Sequence, residues 1–170
     1  MTQWKIAPEY RGNAGYLWSR EWMETFDLSK LDVVRLDAGS GAGNSTWWGH
    51  WYPPRPKKGL QHRISCHVAG PPPFWNWMWL KPLYRNEDGT WPPIPEGVEE
   101  AGYSMNGRTG KQWMRVRRKL IVATVEEAVV VIMAHEGFHF LRGTRQVDGR
   151  NVENAAAAFE VLKLEEWRRL

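Results

Sequence analysis

Hydrophobic positions change their period several times along this chain, and each change marks an element. Ser19 is a helix N-cap type, and Trp22, Met23 and Phe26 behind it share one face, which predicts a short helix from Ser19 to Leu28. Leu31 to Leu36 (LDVVRL) reads as a strand, and Trp47 to Tyr52 as another, stopped by Pro53-Pro54. Between them lies the glycine-rich AGSGAGNST, read as a loop; no Lys precedes Ser45, so it is not a phosphate-binding loop. From Leu60 to Val68 the alternation is clean: Leu60, Ile64, Cys66 and Val68 face one way, with His62 as the polar exception among them. Residues 69–100 contain PPP, WPPIP and an Asn-Glu-Asp-Gly turn, and predict a long irregular excursion of the kind that forms binding loops or lids.

A strand returns over 111–122, with Met114, Val116, Leu120 and Val122 on one side. Thr124 and Glu127 then make a capping box. The helix behind it, VEEAVVVIMAHEGFHFLRG, is expected to stop at Gly143. Valines are poor helix formers, so this helix must be held by burial on several sides. After an Asp148-Gly149 turn, Asn151 is the expected cap of a last helix running to about Arg169. Strands followed by helices predict an α+β fold: a small mixed sheet packed on the histidine-bearing helix and a C-terminal helix.

The length of 170 residues fits one domain over 1–170, with the Pro- and Trp-rich insertion around 69–100. With 42% hydrophobic and 25% charged residues, a wholly disordered chain is excluded. The longest apolar run, Leu120 to Ala134, is short for a membrane span and is broken by Glu126 and Glu127. The start, MTQWKIAPEYRG, has no signal-peptide pattern, and Cys66 is the sole cysteine; both suggest the cytoplasm. No acidic residue lies between Glu100 and Glu126, while Arg108, Lys111, Arg115, Arg117, Arg118 and Lys119 do. Such a strip is either a solvated strand face or a surface for nucleic acid or an acidic protein. Most of the twelve tryptophans fall in three clusters: Trp4, Trp18 and Trp22; Trp47, Trp48 and Trp51; Trp75, Trp77 and Trp79. Clusters of this kind build core or line clefts.

The chemistry concentrates in His135-Glu136-Gly137-Phe138-His139, an HExxH motif. Helical residues four apart share a face, so both imidazoles can bind one metal ion. Glu136, about 100° further round, reaches a metal-polarised water rather than the metal and can take its proton as general base. The competing reading is a pair of core histidines bonded to carbonyls. A catalytic zinc usually takes a third protein ligand. A metzincin would place a glycine and a histidine where Arg142 and Arg145 stand. His50, His62 and His67 lie far upstream; the acidic candidates downstream are Asp148, Glu153 and Glu160. Glu153, a short loop away from His139, is favoured.

The helix VEEAVVVIMAHEGFH followed by Glu153-x-x-Ala156-x-x-Phe159 resembles the gluzincin arrangement of zinc peptidases. The second part is similar to the E-x-x-A-(D/N)-x-F pattern of ImmA/IrrE-type metallopeptidases, and the strand with its EEA…AHE approach resembles SprT-like proteins. The resemblance covers residues 111–165. It implies a zincin-like fold, Zn2+ held by His135, His139 and Glu153, and Glu136 as base. It also implies a protein or peptide substrate held along a strand, either Trp47–Tyr52 or Leu60–Val68. Ala157 departs from the pattern, and with it goes an expected partner for a ligand histidine. Tyr84, Tyr103, His67 and Arg145 are the candidates for stabilising an oxyanion. Two other readings compete: a non-catalytic binding module on a zincin scaffold, and a nucleic-acid-associated SprT-like protease.

Overall fold

Asn13, rather than Ser19, opens the first helix: its side chain accepts the Tyr16 N–H and caps α1, Ala14–Glu24. Ser19 lies buried inside that helix. The early start was hidden by Gly15, a poor helix former. Packing requires it, because a Cβ there would sit 2.2 Å from the Glu126 carbonyl oxygen. The computed structural model describes residues 1–39 and 47–170; all but the first two residues of the glycine-rich stretch lie outside the described residues.

The architecture is α+β, and the chain divides into two compact units. The first unit comprises Met1–Phe74 and Val122–Leu170. Its sheet contains β1 (Gln3–Ile6), β2 (Leu31–Asp37), β3 (Trp47–Tyr52) and β4 (His62–Val68), in the order β1-β2-β4-β3. The first three in that order run parallel, while β3 is antiparallel to β4 and forms an edge. The interior position of β4 removes it as a strand that an added peptide could pair with. On the sheet lies α2 (Val125–Gly143), which also packs against α1 and α3 (Glu153–Trp167).

This central place explains the valines of α2. Every residue from Glu127 to Ala134 is buried, so burial supplies what intrinsic propensity lacks. Thr124 Oγ1 accepts the Glu127 N–H, while the Glu127 carboxylate takes the Ala123 N–H, one residue before the reciprocal partner a capping box predicts. At the other end Gly143 is the last helical residue rather than the stop. The turn out of the helix falls to Arg145, at φ 63°, with Gln146 N–H bonded to the Leu141 carbonyl and Arg145 N–H to that of Arg142.

The second unit, Trp75–Ile121, includes much of the stretch over 69–100 expected to be irregular; residues 80–82 and 85–97 lie outside strands, while three strands enter the rest. It is built on β5 (Phe74–Trp79), β6 (Leu83–Tyr84), β7 (Val98–Met105) and β8 (Gln112–Val122). β8 pairs with the other three. Prolines punctuate the connections rather than the strands, and a bulge between Glu100 and Tyr103 breaks the alternation that would have marked β7. Among the described residues, no helix is long and apolar enough to cross a membrane.

Candidate metal centre

Three donor atoms from two helices meet at one point of the first unit. α2 presents His135 and His139 one turn apart, and α3 brings Glu153 at its first residue. His135 Nε2 lies 3.3 Å from His139 Nε2. Glu153 reaches both, with Oε2 at 3.1 Å from His135 Nε2 and Oε1 at 3.3 Å from His139 Nε2. A tetrahedral ion with ligand bonds of about 2.0–2.1 Å spaces its donor atoms about 3.3–3.4 Å apart. The two imidazole nitrogens have that spacing, Glu153 offers one oxygen to each, and the group could hold a metal ion.

The outer ring nitrogens fix the tautomers. His135 Nδ1–H donates to Glu160 Oε2 at 2.6 Å, and His139 Nδ1–H donates to Asn151 Oδ1 at 2.6 Å. With both Nδ1 atoms engaged by these acceptors, Nε2 is the nitrogen each ring turns towards the cluster. A metal ion binding there would have to displace the second proton of His135, which the surrounding carboxylates favour when no metal is bound. Burial alone would pull the His135 pKa down, but the hydrogen bond and charge of Glu160, with the charges of Glu136 and Glu153, push it up to about 9. Burial pushes Glu160 itself above the usual carboxylate range, against the pull of His135.

Of these two partners, Glu160 was a lesser candidate for the donor group; it lies outside that group and bonds His135 from behind. Asn151 does not cap α3, whose N-cap is Val152, but serves His139. Ala157 therefore costs the site nothing, since both histidines are held from other positions. Asp148 is no part of the donor group.

Glu136 is buried and lines the same cleft, about 360 Å³, with His135, His139 and Glu153. Burial drives its pKa up, opposed by His135 and by the Trp51 backbone N–H that its carboxylate accepts, to about 7. A carboxyl near neutrality is suited to taking and returning a proton. The opposite wall is β3. A Cβ on Gly49 would stand 2.6 Å from Glu136 Cγ and 2.9 Å from Ile132 Cγ2, so only glycine leaves room for the carboxylate.

Trp51 braces the wall. Its ring stacks near His139, with centroids 6.0 Å apart and planes at 19°. Its indole N–H donates to His62 Nδ1 at 3.1 Å, which accounts for a histidine on the apolar side of β4. Burial keeps the His62 pKa low, so the ring stays a neutral acceptor. Gly143 makes way for the same ring, since a Cβ there would lie 3.0 Å from Trp51 Cζ2. α3 is seated by buried Ala156 and by Phe159, whose ring meets Trp22 and Phe138.

Of the residues expected to stabilise an oxyanion, His67 instead bonds Asp37 and stacks on Trp48, and Arg145 ends α2. Tyr84 and Tyr103 belong to the second unit. The cleft is lined by His50 instead. Spacing gave no signal for Asn151 or His50; a glycine amid the aromatics of β3 was the one available hint of Gly49. No protein-family model matches the chain, and comparison with characterised proteins and with solved structures finds no match either.

Proposed function

We propose that this protein is a zinc-dependent peptidase. The observation that carries the reading is the convergence of His135 Nε2, His139 Nε2 and the Glu153 carboxylate at 3.1–3.3 Å, with buried Glu136 in the same cleft. Two imidazoles and one carboxylate with room for a further ligand are the donor set of a catalytic zinc. When bound, zinc supplies Lewis acidity towards a water and a substrate carbonyl. The chain supplies the rest. Glu160 and Asn151 hold the ligand rings in one tautomer. Glu136 takes the proton of the attacking water and returns it to the leaving amine.

A peptide substrate is favoured by the edge position of β3. β3 is the last strand of its sheet and pairs with β4 on one side, and Gly49, His50 and Trp51 of this strand line the cleft. An extended chain laid along that edge can pair with it. A cytoplasmic setting belongs to the same proposal, supported by the one buried, unpaired cysteine, Cys66.

The test has two readouts. Metal analysis of purified protein should find about one zinc per chain, lost in His139→Ala. A mixed peptide library read by mass spectrometry should be cleaved by the zinc-loaded protein. Cleavage should fall by roughly 10²–10⁴-fold in Glu136→Gln, with zinc content unchanged. Zinc binding with an intact library would put the non-catalytic module ahead; no zinc would remove both.

A further inference from the structure

The second unit carries a sheet face that is aromatic and cationic at once. In β8 the even-numbered Met114, Val116 and Leu120 are buried, so Trp113, Arg115, Arg117 and Lys119 turn to the opposite side. β5 sets Trp75, Trp77 and Trp79 on that same side. The Arg117 guanidinium lies 3.8 Å from the centroid of the Trp77 ring, and Lys119 Nζ lies 4.3 Å from that of Trp75. Further along, Tyr84 of β6 pairs in register with Trp113, and Lys111 Nζ stands 4.3 Å from the Tyr84 ring.

This face is open and undercompensated. Trp75, Trp79 and Tyr84 are 50%, 45% and 41% exposed. Glu99 approaches Arg117 only to 3.7 Å, and Lys111, Arg115 and Lys119 form no ion pair among the described residues. Exposed rings interleaved with unneutralised cations match a ligand that is both planar and polyanionic. A duplex hides the faces of its bases, an acidic peptide does not carry a stacking ring with each charge, and a neutral glycan has no use for the cations. A single strand of nucleic acid offers stackable bases and a phosphate for each.

We infer that this face binds single-stranded nucleic acid, with bases stacked on Trp75, Trp77 and Trp79 and phosphates held by Arg115, Arg117 and Lys119. The inference does not depend on the metal centre. It adds a binding surface to the chain, whatever the first unit catalyses.

Binding of a fluorescein-labelled oligothymidine of roughly 20 nucleotides to the full chain tests it, followed by anisotropy and by quenching of tryptophan emission. The oligothymidine should bind at least about tenfold more tightly than a duplex of equal length, with affinity falling as salt rises. Trp75→Ala with Trp79→Ala should weaken binding about tenfold or more and leave the salt slope unchanged. Arg117→Gln with Lys119→Gln should flatten the slope by about 0.7 per lost phosphate contact. Circular dichroism and zinc content check that each variant is folded. The charge reversals Arg115→Glu and Lys119→Glu, at exposed positions, should abolish binding where the tryptophan variants do not fold. No binding at low salt would overturn the inference. So would equal affinity for duplex or heparin with the tryptophan variants unaffected, which is the behaviour of a plain polycation. Self-association through the face, seen by sedimentation and lost in the same variants, would also overturn it, since a second copy would then be its occupant. Zinc content and peptide cleavage are read separately, so failure here leaves the proposed peptidase standing.

Discussion

Glu160 stands one hydrogen bond behind the donor cluster, accepting the His135 Nδ1–H at 2.6 Å from a position seven residues beyond Glu153 on the same helix. One helix thus supplies both a donor atom and the group that orients another. Glu160→Gln keeps the shape and loses the charge. Zinc affinity, measured by competition with a chelator, should fall about 10–100-fold while the fold is retained. Unchanged affinity would show that the ring is oriented by packing alone.

Glu153 is the contrasting case, a carboxylate 80% exposed whose ion-pair partners among the described residues are the two imidazoles. Glu153→Gln should weaken zinc binding more than Glu160→Gln does. Its thermal stability without metal should match that of the metal-stripped wild type, because the exposed side chain supports nothing else. Chelation of the wild type should lower its melting temperature, since binding energy is spent on the folded state alone. A reversed order of the two variants would mean that Glu160 is the ligand.

Gly49→Ala inserts a methyl where Glu136 Cγ and Ile132 Cγ2 already stand. Glu136 must shift, and if it acts as the proposed base, misplacement on this scale should cost about a hundredfold in turnover. Zinc content should be unaffected, because the atoms nearest the new methyl belong to Glu136 and Ile132 rather than to a donor residue. Peptide turnover equal to wild type would show that β3 yields instead.

At the far end of α3, Arg168 makes a two-pronged contact to Glu127, with Nε to Oε1 at 2.7 Å and Nη2 to Oε2 at 2.9 Å. The Arg168 guanidinium holds the Glu127 carboxyl below the usual carboxylate range. A folded-state pKa lowered in this way adds stability above the unfolded value of about 4.5, and that stability is lost as pH falls through the folded value. Arg168→Gln should therefore be destabilised at neutral pH, by roughly 1–2 kcal/mol. It should converge on wild type in acid denaturant melts near pH 3. A constant difference across that range would assign the effect to packing.

The legible parts of this molecule were those with local causes. The alternation in β4 and β8, the Thr124 cap and the pairing of His135 with His139 follow from period and spacing, and Glu153 followed from loop length. What was not legible depends on contacts distant in sequence. Asn151 looks like a cap until His139 is seen beside it. The start of α1 is obscured by a glycine whose reason lies at Glu126. The strands of residues 75–105 are short, rich in proline at their ends, and stabilised by pairing with β8 rather than by their own pattern.

Four glycines without left-handed backbones (Gly15, Gly49, Gly137 and Gly143) each bring a neighbour within 3.0 Å of where a Cβ would go. All four contacts involve α2, which owns one partner or the other. Among the described glycines, a saturation screen would accordingly reject even alanine at these four, although their dihedral angles permit it. Gly12, Gly59, Gly97 and Gly107, with open space around them, would pass for steric reasons or fail only by conformation. The intolerant set would outline the seat of α2 from display counts alone, before any metal had been measured.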